Sequence, residues 1–261
     1  MKPITRAEAL KGFFAFTALT TVLAGCAGEG AGTPGAGAPK SKDTVTIDYA
    51  TYNPLSLIIR KKGWLETVLS EQNKKVEWVK SAGSNKANEA LRSGNIDVGS
   101  TAGSAALLAR ANGSPIKVID LYSQPEWSAL VTTKDSGITK VSDLKGKSVA
   151  VTKGTDPYFL LLQALKQEGI SAKEVTIQNL QHADGRTALD KGQVNAWSGL
   201  DPIMASAEVE NQDVLFYRNL DFNTYGFLNA TESFLKDNPD AAQVIVNVYE
   251  YAPQWALAKT E

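Results

Sequence analysis

Two stretches of the chain repeat one pattern of residue types, and this repeat limits the possible folds more than any other feature. Residues 88–100 and residues 186–198 both read Ala-Leu, two polar residues, Gly, one polar residue, Ile or Val, Asp or Asn, a small residue, one further residue and Ser. In each stretch the glycine suits the end of a helix, and the residues after it suit a short strand. A helix–strand unit used twice predicts two similar α/β lobes and a cleft between them, faced by the carboxyl ends of the strands.

The stretch between the two copies predicts a strand, a turn and a helix. Ser148–Thr152 is β-branched and apolar, which favours a buried strand, and Pro157 suits the first turn of a helix. The turn between them leaves free N–H groups at the positive end of the helix dipole, where anions bind. Gly154 and Thr155 are therefore candidate anion ligands. An ordinary strand–helix joint that binds nothing fits the same residues, and Asp156 would repel an anion there.

Strands and helices are predicted to alternate from Thr44 onward, which favours a largely parallel, doubly wound sheet in an α/β fold. We expect one helix over Leu57–Leu69, because its apolar residues recur at helical spacing. We expect residues 100–104 to form a polar loop after the strand Ile96–Gly99. The last predicted helix, Ala241–Ala258, should break once, at Pro253.

The composition argues against several function classes. A net charge of −1 over 261 residues gives no electrostatic basis for binding nucleic acid. One cysteine excludes an intrachain disulfide and a cysteine metal site, and one histidine excludes a histidine cluster. We therefore predict no metal and no cofactor. The lone His182 is expected at the surface or partly packed.

The first 26 residues resemble a bacterial lipoprotein signal. A cationic start precedes a short apolar segment that ends in Leu-Ala-Gly-Cys, with the only cysteine of the chain at Cys26. The resemblance implies cleavage before Cys26 and lipidation of its thiol, and a plain secretory signal is the alternative. Residues 27–43 are rich in Gly, Ala, Pro and Ser, which predicts a flexible tether. The mature protein is thus expected outside the cytoplasm, held at the cell membrane by its lipid.

Three segments in order resemble the substrate-binding proteins of ABC importers for aliphatic sulfonates, nitrate and taurine. They are residues 82–105, residues 143–155 (Asp-Leu-Lys-Gly-Lys-Ser-Val-Ala-Val-Thr-Lys-Gly-Thr) and residues 184–202, which end in Asp-Pro. The resemblance implies a type II periplasmic binding protein fold, in which two α/β lobes enclose a cleft. It divides the chain into lobe 1 (44–124), lobe 2 (125–220) and a return to lobe 1 (221–261). Most relatives continue with further helices beyond the position of Glu261.

The same resemblance implies which residues hold the ligand. Family members bind through loops after the first and third strands, through the helix start near Gly154, and through residues around a Trp-Asp-Pro segment. Here Leu200 precedes the Asp-Pro pair and the aromatic residue is Trp197 instead. The implied ligand-binding residues are Tyr52, Asn53, Ser56, Gly83, Ser100, Thr101, Ser104, Gly154, Thr155, Trp197 and Asp201, with Asn223 and Tyr225 as weaker candidates.

The expected function is capture of a small organosulfonate-type anion for an ABC permease. Nitrate and taurine-like ligands are alternatives from the same family, and Asp201 could pair with the amine of an aminosulfonate. Enzymes on the same fold, such as a desulfinase or a pyrimidine synthase, rely on cysteine or histidine. Here Cys26 lies in the signal and His182 stands alone, so no nucleophile–base pair is available and we predict no enzyme.

Overall fold

A computed structural model of the chain describes residues 43–259. The predicted signal peptide (1–26) with its Cys26, and the predicted tether except for Asp43, lie outside the described residues, as do Thr260 and Glu261. Within the described part, helices and strands alternate along the chain, so the predicted α/β class is confirmed.

The strands are short and most of them are followed by a helix. They are β1 (Thr44–Tyr49), β2 (Lys75–Lys80), β3 (Val98–Ala102), β4 (Ile116–Ser123), β5 (Ser128–Thr132), β6 (Ser148–Val151), β7 (Thr176–Asn179), β8 (Ala196–Leu200), β9 (Val214–Tyr217) and β10 (Gly226–Thr231). The α-helices are α1 (Pro54–Lys62), α2 (Trp64–Ser70), α3 (Ser84–Arg92), α4 (Gly103–Ala111), α5 (Asp156–Gln167), α6 (His182–Asp190), α7 (Ile203–Asn211), α8 (Glu232–Asp237) and α9 (Pro239–Leu257).

The strands form two five-stranded sheets, each of which is the centre of one lobe. The first sheet has the order β2-β1-β3-β10-β4, and the second has the order β7-β6-β8-β5-β9. In the first lobe, β1, β3 and β10 pack against α1, α2, α8 and α9. In the second lobe, β5, β6 and β8 pack against α5 on one face and against α6 and α7 on the other.

Both sheets are mixed, which corrects the prediction of a largely parallel sheet. Two short segments connect the lobes: the first crossing (residues 124–127) and the second crossing (residues 218–225). The strand after each crossing runs against its neighbours, because β5 is antiparallel to β8 and β9, and β10 is antiparallel to β3 and β4. These strands enter their sheet from the other lobe, not through a crossover helix of their own, so a parallel direction is not imposed on them.

The repeated sequence pattern corresponds to one structural unit present in both lobes. In the first copy α3 leads into β3, and in the second copy α6 leads into β8, with 98 residues between equivalent positions such as Ser84 and His182. Each helix ends at a glycine with positive φ, +72° at Gly94 and +66° at Gly192. The hydrogen bonds that close the two helix ends run between equivalent residues, from Gly94 N to Leu91 O and from Gly192 N to Leu189 O.

Three predicted element boundaries are wrong. The helix predicted over 57–69 is two helices, because Gly63 adopts the left-handed conformation and separates α1 from α2. The predicted polar loop at 100–104 does not form, since its first residues belong to β3 and α4 begins directly at Gly103. Helix α9 continues through Pro253, where Tyr249 and Ala252 are buried against the first lobe.

None of the helices between residues 43 and 259 is both long and apolar enough to cross a membrane.

Candidate functional site

The two lobes meet where the carboxyl ends of their strands face each other. Tyr52, at the end of β1, is buried there with Trp127 of the first crossing and with Leu200 at the end of β8. On either side of this cluster, a Cβ added to Gly83 would lie 3.1 Å from His182 Nε2, and one added to Gly154 would lie 3.8 Å from Leu108 Cδ2. The region predicted to be the ligand cleft is therefore a close contact between the lobes.

The three predicted residues that follow β1 make hydrogen bonds within the first lobe. Asn53 is the N-cap of α1: its Oδ1 accepts a hydrogen bond from Ser56 N at 3.2 Å, and its Nδ2 donates to the Tyr249 hydroxyl at 3.3 Å. Ser56 Oγ donates to Asn53 O at 2.6 Å. The Tyr52 hydroxyl donates to Ser100 O at 3.0 Å, and its ring faces the second lobe. Of the three, Tyr52 alone borders the contact between the lobes.

The predicted hydroxyls of β3 already have partners within the protein. Ser100 donates from both its N–H and its Oγ to the carboxylate of Asp48, at 2.8 and 3.1 Å. Thr101 Oγ1 accepts a hydrogen bond from Asn229 Nδ2 at 2.8 Å. Ser100 therefore satisfies a buried carboxylate, which is a role that sequence reasoning missed.

Asp48 is fully buried on β1, and burial raises the pKa of its carboxyl to about 7. The hydrogen bonds from Ser100 favour the ionised form and oppose that shift. An anionic ligand placed beside Ser100 would meet this carboxylate, so the centre of β3 is an unfavourable place for a sulfonate.

The predicted anion site at the start of α5 contains a carboxylate of the chain itself. Asp156, in the first turn of α5, is 1% exposed. Its oxygens accept hydrogen bonds from Trp127 Nε1 at 2.9 Å, from Thr224 N at 2.8 Å and from Ser104 Oγ. Thr155 does not bind the carboxylate, because its hydroxyl donates to Thr152 O at 2.6 Å.

Asp156 thus connects four parts of the molecule: α5, α4 of the other lobe, and both crossings. A carboxylate at this position also interacts favourably with the α5 dipole. The positive helix start that the sequence predicted is present, and the group next to it is Asp156.

The last predicted residues divide between core and surface. Trp197 is fully buried in the core of the second lobe, where a Cβ on Gly185 would come within 2.8 Å of its ring. Asp201 is half-buried and its Oδ1 accepts from Ala205 N at 3.1 Å, while desolvation raises the pKa of its carboxyl. On the second crossing, Asn223 Oδ1 accepts from Ser128 N at 2.9 Å, and Tyr225 is largely exposed.

A polar group that sequence reasoning did not select lies beside Gly83. His182, the first residue of α6, is 1% exposed, which overturns the expectation of a surface or partly packed histidine. Among the described residues neither ring nitrogen has a hydrogen-bond partner, and Asn85 Oδ1, which lies beside the same contact, is likewise buried without one. Desolvation lowers the pKa of His182 to about 4, so the imidazole is neutral at pH 7.

A recess of about 150 Å³ opens next to this group, between α3 and α4. Asn85 and Asn88 supply polar atoms, Leu108 and Ala109 supply apolar surface, and Gly154 closes one edge from the second lobe. The recess therefore presents polar and apolar surface together, next to the contact between the lobes.

Comparisons with known proteins place these features in a family. The sequence profile described as "NMT1/THI5 like" matches residues 59–261. A Bacillus subtilis protein named for binding aliphatic sulfonates is 30% identical over 249 residues, covering 94% of this chain and 74% of that protein. A taurine-binding periplasmic protein of Escherichia coli is 32% identical over 151 residues, 58% of this chain and 46% of that protein.

The structure also resembles a solved one. The alkanesulfonate-binding protein SsuA from Xanthomonas axonopodis pv. citri, bound to MOPS, superposes with a TM-score of 0.75, at 24% identity over 80% of this chain and 73% of that chain. Likeness at this identity establishes the fold alone. The sequence profile and the Bacillus relative together show that the chain belongs to the NMT1/THI5-like family, in which it adopts the two-lobed periplasmic binding protein fold.

Proposed function

We propose that the protein is an extracytoplasmic solute-binding protein of an ABC importer, which captures a small organosulfonate anion between its lobes and delivers it to the permease. The observation that carries the proposal is the contact between two α/β lobes at the carboxyl ends of their strands, joined by two crossings. Two lobes connected only by short segments can separate and close around a ligand. The proposal treats residues 44–124 and 221–261 as one lobe and residues 125–220 as the other.

The chemistry of the boundary favours an alkanesulfonate over an aminosulfonate such as taurine. An ammonium group needs a carboxylate partner, and the two fully buried carboxylates near the boundary, Asp48 and Asp156, already accept hydrogen bonds from the protein. Asp201, whose Oδ1 accepts from the backbone of α7, is half-buried and is the remaining candidate for an amine. The apolar side of the recess, at Leu108 and Ala109, suits an alkyl chain, which nitrate lacks.

The relatives reported above are named as binding proteins, and we propose that this chain likewise binds its ligand without transforming it. A histidine that is buried and neutral at the lobe contact suits ligand binding at least as well as catalysis.

We further propose that the mature protein is anchored to the outer face of the cell membrane by a lipid on Cys26. Replacing this residue in Cys26→Ala should leave the precursor uncleaved or release the protein from the membrane fraction. Unchanged fractionation, together with a mature N-terminus at another residue, would contradict the anchor and leave the binding function untouched.

A thermal-shift screen of the purified protein tests the ligand class. The buffer should be Tris chloride, because common buffers such as MOPS are themselves sulfonates. A ligand that binds the native state and not the unfolded state stabilises the native state by about 2.7 kcal/mol when its concentration is a hundred times its Kd. For a chain of this size that raises Tm by roughly 5–10 °C, and we expect the largest rise with ethane- or butanesulfonate.

The other anions serve as controls in the same screen. Taurine giving the largest rise would favour the aminosulfonate alternative, and nitrate giving it would favour the nitrate alternative. Chloride at the same ionic strength should change nothing. A folded sample that responds to none of these anions would contradict the binding function.

A further inference from the structure

The repeated unit brings the starts of two equivalent helices together at the lobe boundary. Gly83 is the N-cap of α3 in the first lobe, and His182 is the first residue of α6 in the second lobe. A Cβ added to Gly83 would lie 3.1 Å from His182 Nε2 and 2.8 Å from Asn85 Oδ1, so the two helix starts are in contact. We call this place the helix junction.

No side chain caps either helix at the junction. Gly83 has none to offer, and the side chain of Gln181, the N-cap of α6, makes no capping hydrogen bond. The first N–H groups of a helix lack partners within it and carry partial positive charge. Two such starts in contact make a local environment that favours oxygen atoms with negative charge.

The side chains at the junction supply a second, independent indication of a ligand. His182 is 1% exposed and, among the described residues, neither of its ring nitrogens has a partner, so the neutral imidazole offers one N–H donor to a ligand. Asn85 Oδ1 also lacks a partner there, but an amide oxygen only accepts, so Asn85 can serve a sulfonate through its Nδ2 alone. Leaving one buried polar atom without a partner is unfavourable, and several together are unusual in a folded protein. A ligand oxygen that accepts a hydrogen bond from the His182 N–H would remove the part of this cost that comes from the imidazole donor.

The junction adjoins the recess between α3 and α4, because Asn85 belongs to both. The recess, of about 150 Å³, is as large as a protein cavity that admits benzene. Leu108 and Ala109 line it with apolar surface, so a ligand could place a polar group at the junction and a short alkyl chain in the recess.

We propose that the helix junction is the subsite for the oxygen-rich group of the ligand, with His182 donating a hydrogen bond to it. The proposal rests on the function proposed above and names where the sulfonate binds. The sulfonate oxygens accept hydrogen bonds from the neutral imidazole and from the free N–H groups at the starts of α3 and α6, while the alkyl chain lies along Leu108. The start of α5, which Asp156 already occupies, is not the sulfonate site.

The test uses the fact that the chain contains a single histidine. In the NMR spectrum of the full protein with labelled histidine at pH 7, every imidazole signal belongs to His182. Titration with ethanesulfonate should move these signals along the same saturation curve that calorimetry gives for binding. Saturable binding by calorimetry with unchanged imidazole signals would overturn the subsite and leave the binding function standing. An absence of binding to any of the anions would overturn both.

Substitutions separate direct contact from an indirect effect. His182→Ala should weaken ethanesulfonate binding by about ten- to a hundredfold, as expected for one hydrogen bond to a charged group. His182→Gln, which keeps a donor, should recover part of the affinity. Thr187→Ala, at an exposed position on the same helix, should bind like the unmodified protein.

Asn85→Ala provides a test that does not depend on the second lobe. It removes the Asn85 Nδ2, the side-chain donor that α3 can offer to a sulfonate, and should also weaken binding, whereas Lys86→Ala, on the exposed side of α3, should not. If His182→Ala fails to fold, Asn85→Ala and its control Lys86→Ala still test the subsite. Normal affinity in Asn85→Ala would overturn it.

Discussion

The two copies of the helix–strand unit share a backbone but use their side chains differently. In the first copy, Ser84 begins α3 and its Oγ accepts a hydrogen bond from Ala102 N at 2.9 Å, within the same lobe. In the second copy the equivalent residue is His182, which has no partner in its own lobe and contacts Gly83 of the other. The first side chain of the copied helix therefore makes a hydrogen bond within its own lobe in the first copy and has no partner among the described residues in the second.

The copies also differ in how helix and strand pack. In the first copy Ala87 on α3 and Gly99 on β3 occupy positions equivalent to Gly185 and Trp197 in the second. The glycine on α6 leaves room for the indole of Trp197, since a Cβ there would come within 2.8 Å of it. The place of Trp197 is thus explained by packing within its lobe.

Removing the indole of Trp197 should lower the stability of the protein more than any other substitution considered for the two copies. Trp197→Ala leaves a cavity in the second copy, whereas the equivalent position of the first copy is a glycine. We expect the substitution to lower the free energy of unfolding by about 3–5 kcal/mol. Chemical denaturation followed by circular dichroism measures it. Trp255→Ala, on the partly exposed side of α9, is the control and should cost clearly less. A loss in Trp197→Ala well below about 3 kcal/mol would contradict the packing role of this indole in the second copy.

Acid titration should reveal opposite contributions from the two lobes. The folded pKa of His182 lies below its ordinary value of 6.5, so the unfolded state binds more protons and stability falls by about 3 kcal/mol as the pH drops from 6.5 toward 4. The folded pKa of Asp48 lies above 3.8, so its contribution has the opposite sign and stability rises as the pH falls from about 7 toward 4.

Two variants separate these contributions when stability is measured from pH 7 to pH 4. Relative to the unmodified protein, His182→Gln should gain stability on acidification and Asp48→Asn should lose it. Parallel curves for all three proteins would show that neither group titrates in this range.

Breaking the connection made by Asp156 should have a smaller effect. Asp156→Asn loses charge-assisted hydrogen bonds from Trp127, Thr224 and Ser104, and we expect a cost of about 2 kcal/mol. Small-angle scattering of the ligand-free variant should also show a larger radius of gyration, because the hydrogen bonds that connect α5 to the other lobe and to the crossings are weakened. Asp240→Asn is the matched control, as Asp240 lies in the first turn of α9 and is exposed. A variant as stable and compact as this control would contradict the role of Asp156.

The smallest effect should be equal in the two copies. Gly94 and Gly192 both have positive φ, and an added Cβ would meet no atom within 4 Å at either. Replacing either by alanine should therefore cost only the backbone strain, about 1 kcal/mol. Lys191→Ala, at a position with a φ of −88° beside Gly192, should cost little. A difference above about 1 kcal/mol between the two glycine variants would show that the copies are not equivalent at the helix end.

Several features could be predicted from the sequence because neighbouring residues determine them. The glycine that ends each copied helix and the apolar strand after it are local signals, and the structure has both elements at equivalent positions. The strand–turn–helix start around Gly154 was predicted for the same reason. The repeat predicted two α/β lobes, and the structure has one copy in each of two sheets.

Contacts between distant residues determined the rest. The direction of β5 and β10 depends on the crossings that place them beside strands of the same lobe, so no local pattern reveals that the sheets are mixed. Helix α9 continues through Pro253 because its residues Tyr249 and Ala252 pack on the first lobe, which offsets the lost backbone hydrogen bond.

The candidate site likewise has some features that the local sequence determines and others that depend on distant contacts. The sequence by itself determined that a helix begins near Gly154, that the helix of the first copy ends at Gly94, and that the only histidine, His182, precedes the second copy. Only the tertiary structure decided that Asp156 is buried with hydrogen bonds from α4 and both crossings, and that His182 is buried against Gly83 with no hydrogen-bond partner among the described residues. The physical reason is that residues distant along the chain supply the burial and the partners: Gly83 lies against His182, and the donors to Asp156 are 29, 52 and 68 residues away.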